Sequence, residues 1–186
     1  MPADAFARWE TFYVILGSSA AAMTGLMFVA VTLLGEGRRR GEALTLGMSA
    51  FNTPTVLHFC SALLISLVVC VPWTALRAPG LTLSLIGLAG IVYSLLVILR
   101  MRRIDRRRDY TVVASDWIGH GLLPMVAYVT LFLAGFVLPN APSGTELVIG
   151  AVTALLLFTG VRNAWDIVTY LTMEKLSEDR KGKKPL

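Results

Sequence analysis

Two histidines, one arginine and two aspartates have the type and position to do chemistry in this chain. His58, His120, Arg162 and Asp166 lie inside long apolar runs, and Asp116 stands at the edge of one. Ionisable groups at membrane depth are costly, so they usually face a bundle interior or a water-filled cavity and mark a path for ions, protons or solutes. Asp116 and His120 are four residues apart, as are Arg162 and Asp166, so on helices each pair shares a face. Pro124 follows His120 by four residues. It has no amide for the carbonyl of residue 120, which predicts a kink there and a free carbonyl beside a titratable imidazole, suited to an ion or a water.

The elements that must position these groups follow from composition. The chain has 186 residues, 55 % apolar and only 16 % charged, where soluble domains are about a quarter charged. A soluble domain is excluded. Five apolar runs, 12–34, 54–73, 81–99, 117–138 and 147–171, each come close to or exceed the roughly 20 residues that cross about 30 Å of hydrocarbon as a helix. None alternates apolar and polar residues as a membrane-barrel strand does. The fold class is therefore an all-α integral membrane protein: a single transmembrane domain over 1–186, built as a bundle of five helices, with a basic tail at 172–186. The first run is too long for a secretory signal and is flanked by Asp4 and Glu10, so it reads as a retained span.

Orientation follows from the connections. Fourteen Lys and Arg residues fall on one side, in 38–40, 100–108 and 175–184; Arg8 and Arg77 fall on the other. By the positive-inside rule the N-terminus is outside and the C-terminus cytoplasmic, in a multi-pass protein of the cell inner (plasma) membrane. Trp9, Tyr13 and Trp73 then sit at the outer edge, with Trp117, Trp165 and Tyr170 near the inner one. His58, His120 and Arg162 fall three to eight residues from the cytoplasmic boundary, roughly 5 to 12 Å into the inner leaflet. Two imidazoles, a guanidinium and the Arg162/Asp166 pair from three spans thus share one polar layer.

Each member has a plainer alternative. Arg162 can snorkel to headgroups with Asp166 balancing it, Asp116 can cap the fourth span, and single membrane histidines are often interhelical hydrogen-bond partners. Asn52 and Asn163 stay unassigned. Small residues mark close helix approaches: Gly17, Ala21 and Gly25 at four-residue spacing in the first span, Gly90 and Ser94 in the third. This places the first span at the bundle centre or at a subunit contact. Residues 35–53 read either as a short helix lying in the headgroup layer, before Thr53 caps and Pro54 opens the second span, or as an early start of that span. Arg100, Arg103 and Arg107 share one face of a helix continuing beyond the third span, a surface for anionic lipid headgroups. That cluster has no interleaved aromatics, so no nucleic-acid partner is expected. Cys60 and Cys70 lie about 15 Å apart on one helix, beyond disulfide reach.

Three functions remain. The first is passage of an ion or small solute through a homo-oligomer, with the polar layer as cytoplasmic-side gate or site. The second is a non-catalytic accessory or scaffold subunit. The third sets His58 and His120 as axial ligands of a b-type haem, or a metal ion on the aspartates, although the expectation is no cofactor. No arrangement of the polar residues makes a hydrolase triad, a metalloprotease helix or a phosphate loop, so no enzyme is expected.

Overall fold

The computed structural model describes residues 6–35, 42–107 and 117–182, with side chains over 6–32, 54–103, 117–169 and 172–173. Asp116 lies outside the described residues, and Arg107 is described in its backbone alone. A 3-10 turn, Ala7–Trp9, leads into α1 (Glu10–Gly35); α2 (Glu42–Cys70) and α3 (Arg77–Arg107) follow. A π-helical turn, Trp117–Leu122, runs into α4 (Leu123–Val137), and α5 (Pro142–Gly182) ends the described chain. Among the described residues there is no strand.

The five-helix count agrees with the five apolar runs. Ala7–Thr32, Arg77–Arg103, Trp117–Val137 and Pro142–Thr169 are long and apolar enough to cross a membrane; Pro54–Cys70 is apolar but shorter. Every helix turns large apolar side chains outward, among them Phe28, Leu67, Leu85, Phe136 and Phe158. A water-soluble monomer rarely exposes so much apolar surface, whereas helices whose backbone bonds are satisfied internally can show it to lipid.

Two helices extend past their apolar runs. Helix α2 begins at Glu42 and runs through Pro54, in keeping with an early start and not with a helix opened by residue 54. One proline costs a single backbone bond, which a long membrane helix tolerates. Helix α5 extends to Gly182, so most of the expected tail continues the helix. Its true start is also later than Pro142: Ser143 and Gly144 leave helical geometry, and Gly144, at φ 90°, takes a left-handed conformation that a side chain would oppose.

Helices α2 and α5 form the middle of the bundle. Helix α1 packs on them from one side, and α3 and α4 pair with one another on the other. In the apolar core between them Ile65, Leu83, Leu131, Ile149 and Leu156 have no exposed surface. The closest approach joins α3 to α4. A β-carbon on Gly87 would lie 2.6 Å from the Phe132 amide nitrogen, and one on Gly135 would lie 2.5 Å from the Gly80 carbonyl oxygen. The Ser84 hydroxyl donates to the Phe132 carbonyl at 3.1 Å within this seam. Gly90 continues it, with the Tyr128 ring occupying the space a side chain there would need.

Helix α1 is not central, so of the two readings of its small residues the bundle-centre one does not hold. Gly17 does meet α2, where a β-carbon would stand 3.0 Å from Ser66 Cβ. Ala21 and Gly25 are exposed, and nothing lies within 4 Å of a β-carbon on Gly25. The buried stripe of α1 runs instead through Tyr13, Leu16, Gly17, Ala20 and Met27. Large side chains recurring at three- and four-residue spacing set that stripe, and the small ridge falls beside it.

Candidate functional site

His58 and Ser61 are one turn apart on α2, and α4 turns Tyr128 toward both. The Tyr128 hydroxyl lies 3.1 Å from His58 Nδ1 and 2.9 Å from Ser61 Oγ, all three residues being buried. The phenol thus bridges the imidazole and the alcohol. Its ring is held against Gly90 of α3, which leaves the hydroxyl little freedom to swing away. Tyr93 of α3 interacts electrostatically with Tyr128, and His120 with His58, so both elements reach the same polar core.

His120 stands on the π-helical turn, and the reason for that turn is chemical. In an α-helix, Pro124 would leave the carbonyl of residue 120 without a donor. In the wider π register, the carbonyl facing residue 124 belongs to Gly119. The Asn163 side chain of α5 donates to that carbonyl at 3.1 Å. Where a kink was expected the turn is widened, and the carbonyl facing Pro124 is capped from a neighbouring helix. Such π turns recur at functional sites. Asn163, left without a role in the sequence reading, is fully buried and joins α5 to the layer.

The structure brings His58, His120, Asn163 and the Arg162 guanidinium into this region. A β-carbon on Gly119 would lie 2.6 Å from Arg162 Nη1 and 2.9 Å from Asn163 Oδ1. Arg162 is otherwise exposed, so its charged end sits at the edge of the buried cluster with Asn163 behind it. Asp166 is exposed and makes no ion pair with Arg162, although both are described. Four residues of spacing put two side chains on one face but do not aim them at each other. Arg162 turns toward Gly119 instead. Ser94 is buried, while Arg100 and Arg103 are exposed toward the end of α3.

Several buried polar atoms here have no hydrogen-bond partner: His58 Nε2, Tyr93 Oη, Ser94 Oγ and Asn163 Oδ1. Among the described residues no three His, Cys, Asp or Glu side chains come together to hold a metal ion.

Tyr128 and Ser61 were legible in principle, Ser61 three residues after His58 and Tyr128 eight after His120, each on its partner's face. A second polar site escaped at the other end of α5. Glu146, one residue before the apolar run, is buried and lies 3.8 Å from the Arg8 guanidinium, whose side chain is 84 % exposed. The Tyr13 hydroxyl donates to the Glu146 carbonyl at 3.4 Å. Because the guanidinium is in water and the contact is long, Arg8→Ala should cost less than about 1 kcal/mol, as exposed pairs do. A thermal melt of the variant in detergent checks this, and a much larger loss would mean that Arg8 anchors the N-terminal turn.

No model of a known protein family matches the chain, no curated protein matches its sequence and no solved structure matches its fold, so the reading of the site rests on its own geometry.

Proposed function

We propose that this is a multi-pass protein of the inner (plasma) membrane, N-terminus outside and C-terminus cytoplasmic. It assembles as a homo-oligomer and passes an ion or small solute, with the His58–Tyr128–His120 core as its site on the cytoplasmic side. The asymmetry of Lys and Arg between the two sets of connections supports the orientation. One observation carries the functional reading: polar atoms of three helices are buried in the bundle without partners. Each such atom costs about 1 to 3 kcal/mol, which a purely structural core would avoid by using apolar side chains. A site that receives waters or a polar traveller regains that energy when occupied. Arg100 and Arg103, exposed at the inner end of α3, suit anionic headgroups.

The test is flux through purified protein in liposomes, with His58→Ala, His120→Ala and Arg162→Ala beside wild type. Wild type should pass ions, protons or small solutes above empty vesicles, and the histidine variants should lose most of that passage. No passage by any of the proteins would end the proposal. An accessory-subunit reading is favoured by one feature, the outward face of Ser18, Ala21, Ala22 and Gly25 on α1, where a neighbouring helix could approach closely. The two readings differ in whether the particle purified in mild detergent contains one kind of polypeptide or two.

A further inference from the structure

The polar core differs from an ordinary ion site in its charge. Among the described residues, every buried polar side chain of the inner half is an alcohol, an imidazole, a phenol or a carboxamide; the one buried carboxylate, Glu146, is at the far end of α5. An alkali cation entering this core would lose its hydration shell with no fixed negative charge to replace it, and the Arg162 guanidinium, the one charge that could meet a halide, stays at the edge of the cluster. Space is short as well. The Tyr128 ring fills the position of a Gly90 side chain, and a β-carbon on Gly160 would stand 2.6 Å from the Phe59 ring. A hydrated ion needs room that the packing does not leave, whereas a proton moves along hydrogen bonds and needs none.

The bonds are in place. His58 Nδ1, Tyr128 Oη and Ser61 Oγ form an unbroken chain with steps of 3.1 and 2.9 Å, and His58 Nε2, the far nitrogen of the same ring, is buried and unpartnered. We propose that the species this core takes up is the proton, relayed by Tyr128 between His58 and Ser61. This deepens the passage reading above and rests on it.

The relay balances as follows. A proton from cytoplasmic-side water forms the Nε2–H bond of His58 while the Nδ1–H bond breaks toward the Tyr128 oxygen. The phenol gives its own proton to Ser61 Oγ, and Ser61 releases its former hydroxyl proton to water when the helices move apart on that side. One proton enters, one leaves, and His58 is left in its other tautomer, which reverse passage or ring rotation restores. The titratable groups around the chain are His120 on the π turn, Tyr93 on α3, itself near Arg100, and Cys60 on α2. Arg162 and Asp166 lie at the α5 edge, and α1 has no titratable residue between 14 and 32. Beyond Ser61 the core is closed by Ile65, Leu83, Leu131 and Leu156, all without exposed surface. Both ends of the chain, His58 Nε2 and Ser61, are buried in this conformation, so uptake and release both require the helices to move.

Liposomes holding the full chain and a pH-sensitive dye, with the potential clamped by potassium and valinomycin, test this. Wild type should carry protons, and Tyr128→Phe, which keeps the ring against Gly90 and removes the hydroxyl, should reduce the rate roughly a hundredfold, the usual worth of a positioned proton carrier. Ser61→Ala should do the same without touching an aromatic ring, which covers misfolding of the first variant. Parallel vesicles without valinomycin report potassium and glycerol entry. Potassium or glycerol passage without proton passage overturns this inference and leaves the proposed function standing. Proton passage at the wild-type rate in both variants overturns the relay. No passage of any species overturns both.

Discussion

Gly135→Ala should lower the thermal midpoint of the purified protein by roughly 2 to 12 °C, the range expected when about 1 to 3 kcal/mol of overpacking falls on a chain of this length. The obstacle is backbone. The added β-carbon would lie 2.5 Å from the Gly80 carbonyl oxygen and 2.7 Å from the Ser84 amide nitrogen. No rotamer change clears backbone atoms, so α3 and α4 must separate. Gly87→Ala should act alike, its β-carbon meeting the Phe132 nitrogen at 2.6 Å and Cα at 2.8 Å. Gly25→Ala is the control. It has open space around it on the outward face of α1, and alanine favours a helix by up to about 1 kcal/mol over glycine. Its midpoint should hold or rise. Equal losses for Gly25→Ala and Gly135→Ala, measured by fluorescence-detected gel filtration after heating, would mean that the α3–α4 seam is not the tight contact of this bundle. Gly90→Ala carries the seam into the polar core: the Tyr128 ring must yield, taking its hydroxyl away from His58 and Ser61.

That contrast between Gly25 and Gly135 also shows what a sequence can and cannot say about such a bundle. Hydrocarbon thickness and helical rise translate directly into run length, so the helices themselves were legible. The lateral arrangement was not. Small residues at four-residue spacing announce a ridge, but lipid and protein are both apolar, and nothing in Gly17, Ala21 and Gly25 distinguishes a ridge facing α2 from one facing outward. That His58, His120 and Arg162 come into one region follows from their similar distances, counted in residues, from the ends of their apolar runs. The direction of each side chain was not readable, and Arg162 therefore meets Gly119 instead of Asp166. Glu146 was missed because it stands where the apolar run begins, and a boundary drawn one residue inside it hides a buried carboxylate. Pro124 is the most instructive case: the missing amide is certain from the residue type, but whether the helix bends or widens depends on what a neighbouring helix offers, here Asn163.

Asn163→Leu should destabilise the protein by about 1 to 3 kcal/mol, the cost of leaving a buried carbonyl without its donor. Leucine is close to asparagine in size, so the site stays filled while the 3.1 Å bond to the Gly119 oxygen is lost. Part of the loss should be conditional on Pro124. In Pro124→Ala, residue 124 regains an amide, the carbonyl facing it no longer needs a donor from α5, and the turn at Trp117–Leu122 is free to return to α geometry. Asn163→Leu should therefore cost clearly less in the Pro124→Ala background than in wild type. Melting of the four proteins in one detergent gives the coupling, which for two residues serving one carbonyl should reach about 0.5 kcal/mol or more. Simple additivity would mean that Asn163 stabilises the bundle by packing alone, and that the π turn holding His120 beside His58 has another cause.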